Sequence, residues 1–271
     1  MARQSRLYSL EGIVLGRRDH GEADRIVVCL TPEGRVDLLA KGTRKPRSRK
    51  AGHLELFSRT RMLVSHVESS WDIISQAEAI TLRPTLQDDF ERGTYARYVV
   101  ELVMRFFERE ANEQLYRLLD WTLTMLETDT TPELLVRWYE QRLLTLAGFR
   151  PEWRTCVGER DGDLCEVELR PRPTDATDYG MDPERGGALC SVCYTGAKRD
   201  LGVRSLSPSA LSWLQALQQR EYAEAKEFNF TKRAATELAL AMQYYIAFHL
   251  EYRPSSLRMM GDGRLDTDSP A

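Results

Sequence analysis

The sequence predicts a multidomain α+β protein, with a five-stranded β-barrel first and an α-helical domain after it, the latter carrying an inserted cysteine-rich segment. Three observations carry this. Apolar residues follow a period of two up to about Leu82 and recur at helical spacing from about Asp88. A proline- and glycine-rich stretch from about Glu152 to Lys198 interrupts the helical pattern and holds four of the five cysteines. Between two strands, Lys41–Lys50 places six cations in ten residues with no acid among them.

Leu7–Arg17 and Asp24–Thr31 are runs rich in β-branched residues, separated by the turn-forming Asp-His-Gly-Glu-Ala. Pro32-Glu33-Gly34 then leads tightly into Arg35–Lys41, where Val36, Leu38 and Ala40 alternate with Asp37, Leu39 and Lys41, a hairpin pattern. Leu54–His66 and Trp71–Leu82 complete five strands. Five short strands with one long basic loop fit a small closed barrel. The OB-fold is the five-stranded barrel associated with nucleic acid, and an SH3-like barrel fits the strand count nearly as well. Cys29, inside Ile-Val-Val-Cys-Leu, reads as a small buried hydrophobe.

Arg83-Pro84-Thr85 marks the change of period. Tyr95, Val99, Leu102, Val103 and Phe106 share one helix face, with Glu101, Arg105 and Glu108 on the other. The carboxylates of Asp88 and Asp89 suit the positive end of the helix dipole. Asn112–Glu127 and Pro132–Leu146 are two more helices, the second with Thr131 as cap, Pro132 in its first turn and Gly148 just past its last. Helices resume at Ser207–Gln219, capped by Ser207, and at Thr231–Glu251. The expected organisation is a barrel at 1–82, a helical domain in two parts at 83–151 and 199–260, an insertion at 152–198 and a flexible polar tail at 261–271.

A segment as long as 152–198 without periodicity requires a staple. Cys190-Ser-Val-Cys193 has the spacing of a zinc knuckle, and Gly186-Gly187 gives the backbone freedom for a turn before it. Cys156 and Cys165 are separated by eight residues, and Asp161-Gly162 between them can return both sulfurs to one place. The four thiolates make a closed structural site for one Zn2+ per chain. The alternatives are disulfides, which a reducing compartment disfavours, and unbound thiols. A redox pair lacks its strand-to-helix setting around Cys190.

The net charge of -3 conceals an asymmetry. Residues 1–83 hold 15 bases and 10 acids, net +5, and the remaining 23 bases and 31 acids give -8. A cationic loop between strands matches a polyanion, because each Lys or Arg set against a phosphate releases a condensed counterion. The expected contacts are Lys41, Arg44, Lys45, Arg47, Arg49 and Lys50, joined by Arg17, Arg18, Arg25, Arg35, Arg59 and Arg61. The bland alternative is a solvated connection. The barrel has only three aromatics, Tyr8, Phe57 and Trp71, of which Phe57 and Trp71 are expected to pack inward. Such a barrel holds backbones and shows little sequence or strand preference.

Other classes find no support in the sequence. The longest apolar runs, Ile26 to Leu30, Leu238 to Met242 and Tyr244 to Phe248, have five residues each, too short for a bilayer. Met-Ala-Arg-Gln-Ser-Arg has no apolar segment behind it of the kind an export signal requires, so the expectation is a cytoplasmic protein. Phosphate-loop, dinucleotide, zinc-protease and nucleophile-elbow motifs are missing, and His20, His53, His66 and His249 lie scattered without a neighbouring nucleophile. His249, in an apolar helical stripe, reads as a core or boundary residue. The expectation is no catalytic site and no enzyme activity.

Taken together, several segments resemble the RecO family of bacterial recombination mediators. Glu11-Gly12-Ile13-Val14-Leu15 followed by Gly21-Glu22-Ala23-Asp24-Arg25 resembles the family's opening strand and turn. Thr31-Pro32-Glu33-Gly34-Arg35 leads into Ala40-Lys41-Gly42-Thr43-Arg44-Lys45-Pro46, similar to its Ala-Lys-Gly-basic element, with Ser48-Arg49 following. Leu146-Ala147-Gly148-Phe149-Arg150-Pro151 and Gly186-Gly187-Ala188-Leu189-Cys190-Ser191-Val192-Cys193 are similar to later family elements. The resemblance runs from about residue 6 to 259. It implies an OB-fold followed by a helical domain, and binding of single- and double-stranded DNA with annealing of complementary strands. It also implies cooperation with RecR in replacing single-strand-binding protein by RecA. Zinc-binding members usually open the metal site with Cys-x-x-Cys, which is stretched here, and some members lack the cysteines, so the zinc expectation rests on this sequence. Two other readings stay open at this point: an OB-fold/zinc protein binding structured RNA, and an adaptor whose acidic helical part docks proteins.

Overall fold

The structure, a computed structural model, describes residues 7–160, 162–172, 178–227 and 232–260. The tail expected at 261–271, Thr231 at the expected start of the last long helix, and Asp161 in the cysteine gap lie outside the described residues.

Five strands form the first part: β1 (Leu7–His20), β2 (Asp24–Thr31), β3 (Gly34–Ala40), β4 (Arg59–Ser65) and β5 (Ile73–Thr81). They close into a barrel in the order β1-β2-β3-β5-β4, with β4 pairing back to β1 and β3 meeting β5 in parallel at Leu39 and Ile73. The 14-residue β1 serves both neighbours. Leu7–Ile13 pairs with β4 and Ile13–His20 with β2, and the register shifts between Val14 and Gly16, where the strand turns from one partner to the other. Alternate residues point inward, so Val14, Val27, Cys29, Leu38, Met62, Val64 and Ile74 fill the interior. Burial first, with Asp37 adding to it, pushes the Cys29 thiol up to about 12, as its expected apolar role requires.

β4 starts later than the sequence suggests. Leu54–Ser58 turns into the barrel instead, with Leu54 and Phe57 buried and Phe57 at φ 67°. The Phe57 amide donates to the Val14 carbonyl at 2.8 Å, and the Val14 amide donates to the Ser58 carbonyl at 2.9 Å. The apolar run that reads as strand is thus the plug of the barrel.

The helices are α1 (Thr85–Asp88), α2 (Phe90–Phe106), α3 (Glu113–Leu126), α4 (Pro132–Leu146), α5 (Ser191–Ala197), α6 (Pro208–Gln219), α7 (Tyr222–Lys226) and α8 (Lys232–Leu250). Asp89 caps α2 by accepting from the Arg92 amide, Asn112 caps α3 through Leu115, and Ser207 caps α6 through Ala210. Thr131 stands at the expected cap of α4 but makes no capping bond; its hydroxyl lies 3.3 Å from that of Tyr222. Gly148 takes φ 82° after α4, as a helix stop requires.

The described residues divide into two compact units, 7–129 with 258–260, and Thr130–Leu257. This differs from the boundaries expected at 82/83 and 151/152. The change of period marks where strands give way to helices, but packing assigns α1–α3 to the barrel. Gly34, at φ 121°, shows how closely: a Cβ there would lie 2.2 Å from the Arg109 carbonyl. In the second unit α4 packs on α6 and α8. The insertion contributes the short strands β6 (Glu159–Arg160), β7 (Asp163–Leu164), β8 (Tyr179–Asp182) and β9 (Gly187–Leu189), and β10 (Arg204–Leu206), just past it, pairs with β8. It is tied to the helices by Trp153, whose indole donates to Gln141 at 3.1 Å while its carbonyl accepts from Gln215 at 2.8 Å.

Candidate nucleic-acid interface and metal centre

The basic loop has a fixed backbone and free side chains. The Gly42 amide donates to Asp24 at 2.7 Å, the Arg44 amide to the Ala23 carbonyl at 2.9 Å, and the buried Thr43 hydroxyl to the Ala40 carbonyl at 2.9 Å. These bonds pin the loop to the β1–β2 hairpin. Lys41, Lys45, Arg47 and Arg49 are exposed, and among the described residues they make no ion pair or side-chain hydrogen bond. Arg44 is shared: its guanidinium reaches the Gly21 carbonyl at 3.3 Å and Asp19 at 3.4 Å. Lys50 turns inward, its ammonium donating to the Ile74 carbonyl at 2.8 Å. Burial lowers its pKa against the opposing pull of Asp24.

The remaining expected cations divide by partner. Arg35 donates to the carbonyls of Met104 and Phe107 at 3.1 and 3.2 Å, satisfying the end of α2. Arg59 pairs with Glu11 at 2.7 Å and Asp120 at 3.0 Å, and Arg17 with Glu55 at 2.8 Å. Those three hold the unit together. Arg25 pairs with Asp19 at 3.2 Å. Arg18 and Arg61 are the more exposed, with looser contacts of 3.8 Å to Asp37 and Glu11. A sequence displays charges but not the distances between them, so the helix-holding arginines were indistinguishable from the free ones.

Two aromatics behave differently from one another. Phe57 is buried, as expected, whereas Trp71 is 36% exposed. The inward packing expected for Trp71 is therefore corrected. It lies in the β4–β5 connection, before the first residue of β5, where the alternation of a strand does not apply.

In the second unit the four expected cysteines converge, their sulfurs all within 4.8 Å of one another. The long gap between Cys156 and Cys165 is closed by the β6–β7 hairpin, with Gly162 at φ 92° and the Cys165 amide donating to the Gly158 carbonyl at 2.8 Å. Cys190 caps α5, whose first turn carries Cys193. No disulfide joins them: the sulfurs of Cys165 and Cys190 are 4.0 Å apart, about twice an S–S bond. Four sulfurs at about 2.3 Å from a tetrahedral ion would lie about 3.8 Å apart, so donor set and spacing fit a structural metal.

The surroundings of Cys190 suit sulfur carrying negative charge, whereas burial opposes it at Cys156 and Cys193. Backbone amides of Gly158 and Cys190 point at the Cys156 sulfur, at 3.4 and 3.2 Å, and the Arg160 guanidinium donates to Cys190 at 2.9 Å and to Cys193 at 3.5 Å. Burial alone would raise the Cys190 thiol. The Cys193 amide and Arg160 outweigh it and bring the value down to about 7. Cys156, with burial dominant, is pushed up to about 12. Arg160 was not among the residues expected here; its only signal in the sequence is its place within the cysteine gap.

A closed barrel, helices and a four-cysteine cluster in one chain define an α+β protein with a candidate structural metal site. Comparison with known proteins places it further. The family described as "Recombination protein O N terminal" matches residues 4–83, and "Recombination protein O C terminal" matches residues 87–258. The chain is 35% identical over 271 residues to DNA repair protein RecO of Roseiflexus sp. (strain RS-1), covering 99% of this chain and 90% of that one. It is 34% identical to that of Symbiobacterium thermophilum over 92% of this chain and 95% of the relative, and 33% identical to that of Desulforudis audaxviator over 93% and 96%. The chain belongs to the RecO family.

Proposed function

We propose that this protein is a DNA repair and recombination mediator that binds single- and double-stranded DNA and anneals complementary strands. With RecR it helps replace single-strand-binding protein by RecA. The observation that carries the reading is the set of four free cations, Lys41, Lys45, Arg47 and Arg49, on a loop whose backbone is pinned. Cations on a pinned backbone have no internal ion pair to give up on meeting phosphate, add no loop-ordering cost, and release its counterions. Arg44, Arg18 and Arg25 stand beside the loop at the β1–β2 hairpin end of the barrel, and Arg61 is an exposed cation on β4. Two backbones laid against it repel each other less, and their base edges stay free to pair.

Membership of the RecO family and the repair names of its relatives support this reading. The strand order, with β3 and β5 parallel at the closure, supports an OB-fold, and the short 3-10 turn Ala51–His53 sits between β3 and β4. We assign one zinc ion to Cys156, Cys165, Cys190 and Cys193, where it would supply a tetrahedral crosslink for the insertion. The protein acts without hydrolysing nucleotide, so its free energy comes from base pairing and exchange of partners, in the bacterial cytoplasm. No helix among the described residues is long and apolar enough to cross a membrane.

The test follows annealing of complementary oligonucleotides coated with single-strand-binding protein, without ATP, and RecA filament assembly when RecR is present. Acceleration of both is expected. Acceleration of neither would defeat the mediator reading even if DNA binding were tight.

A further inference from the structure

The exposed Trp71 is presented by a tightly built turn. The Asp72 carboxylate accepts from the Tyr8 hydroxyl at 2.6 Å and the Val67 amide at 2.9 Å, and lies 3.0 Å from His66 Nδ1. The Asp72 carbonyl accepts from the Leu39 amide at 2.8 Å. These bonds fix the backbone on both sides of the indole. The ring meets His20 edge-to-face at 5.2 Å, and the Arg18 guanidinium stands 5.8 Å from its centroid. Next to His20 is Asp19, which holds Arg44 of the basic loop at 3.4 Å. The loop, the β1–β2 hairpin tip and the β4–β5 turn therefore meet at one end of the barrel.

We propose that Trp71 is a base-stacking platform that gives this barrel end a preference for single strands. The inference rests on the DNA-binding reading above and divides its labour. Phosphates are the same on a single strand and a duplex, so the loop cations bind both. A base can reach an indole only when its own stack is open. Every base has a π-face, so the platform is indifferent to sequence, and the guanidinium of Arg18 adds a cation beside the same ring. In OB-type barrels the β1–β2 and β4–β5 loops are the ones that meet oligonucleotides, and Trp71 and His20 occupy the second loop and the edge of the first.

The experiment uses the full chain with three probes: an oligothymidylate, an abasic deoxyribose-phosphate strand of the same length, and a mixed-sequence duplex. Trp71→Ala should weaken oligothymidylate binding by roughly 5- to 150-fold, leave the abasic strand and the duplex unchanged, and leave the salt dependence unchanged. Trp71→Phe should keep most of the affinity, which separates loss of stacking from loss of fold. Equal weakening toward all three probes, or none toward any, would overturn the proposal. Should the unaltered chain bind none of them, the DNA-binding reading falls as well. Should it bind all three through the loop cations yet ignore Trp71→Ala, the platform alone is refuted.

Discussion

The Arg83 guanidinium donates to the Asp120 carboxylate across 2.6 Å from a position without solvent exposure. The same guanidinium donates to the Phe57 carbonyl in the barrel plug and to the Thr124 hydroxyl at 2.9 Å. One side chain, placed where strands give way to helices, thus fastens the plug to α3. Arg83→Ala should destabilise the first unit by about 1–3 kcal/mol, because it leaves the Phe57 carbonyl without its donor and Asp120 with Arg59 alone. Arg83→Lys should rescue little, since one ammonium cannot span that fork of acceptors. Urea unfolding monitored on the barrel checks this; a loss under about 1 kcal/mol would mean that apolar packing alone holds the two together.

At the cysteine cluster, one zinc per chain is expected after purification without added metal. Cys193→Ser should release it and loosen residues 152–198, because binding free energy in such sites is largely folding free energy. DNA binding through the barrel should survive. Metal analysis with thiol counting decides: metal-free protein with five titratable thiols and an ordered insertion would end the zinc assignment.

Gly158 offers a separate handle on the same centre. A Cβ there would lie 2.7 Å from the Cys193 Cβ and 3.0 Å from its sulfur. Gly158→Ala should therefore push Cys193 out of register and weaken metal retention, with overpacking of about 1–3 kcal/mol, while keeping all four ligands. Competition with a graded chelator would show it. Unchanged retention would mean that the α5 turn yields freely.

His249 should make the second unit acid-sensitive. Its ring is packed by Tyr245 at 4.5 Å, Phe149 at 4.8 Å and Phe248 at 5.3 Å, its Nε2 is buried without a hydrogen-bond partner, and burial lowers its pKa. A histidine depressed in the fold binds its proton more readily when unfolded. The stability it contributes is therefore full above the ordinary imidazole value of about 6.5 and is lost as pH falls from there through the folded value. His249→Phe should flatten stability against pH in that window. A variant that keeps the full acid sensitivity would assign it elsewhere.

The regular elements were legible where local chemistry and packing agree. β2 and α4 have the bounds that alternation, Pro132 and Gly148 suggest, and Asn112 and Ser207 cap as their types allow. What escaped depends on tertiary partners. Leu54–Ser58 carries a strand's apolar content but is drawn inward as a plug, and Thr131 meets Tyr222 in place of its own helix. The short α5 and α7 are too brief to show a period. The four cysteines were readable because metal-ligand spacing is a local signal and a hairpin could be foreseen between distant sulfurs. The basic loop was readable as charge, but nothing local distinguishes Lys50, which turns inward, from Lys45, which does not.

The central claim is that the free cations of the pinned loop carry DNA affinity through phosphate. The direct measurement is affinity for single-stranded and duplex DNA across a salt series, comparing the full chain with a variant in which Lys41, Lys45, Arg47 and Arg49 are all alanine. Both affinities should fall together, and the log-log salt slope should flatten by about 0.7 to 0.9 for each phosphate that the variant no longer neutralises. Lys50→Ala should instead lower stability, since its ammonium serves the Ile74 carbonyl. Unchanged affinity and slope in the four-alanine variant would contradict the account and move the DNA-binding surface to Arg18, Arg25 and Arg61.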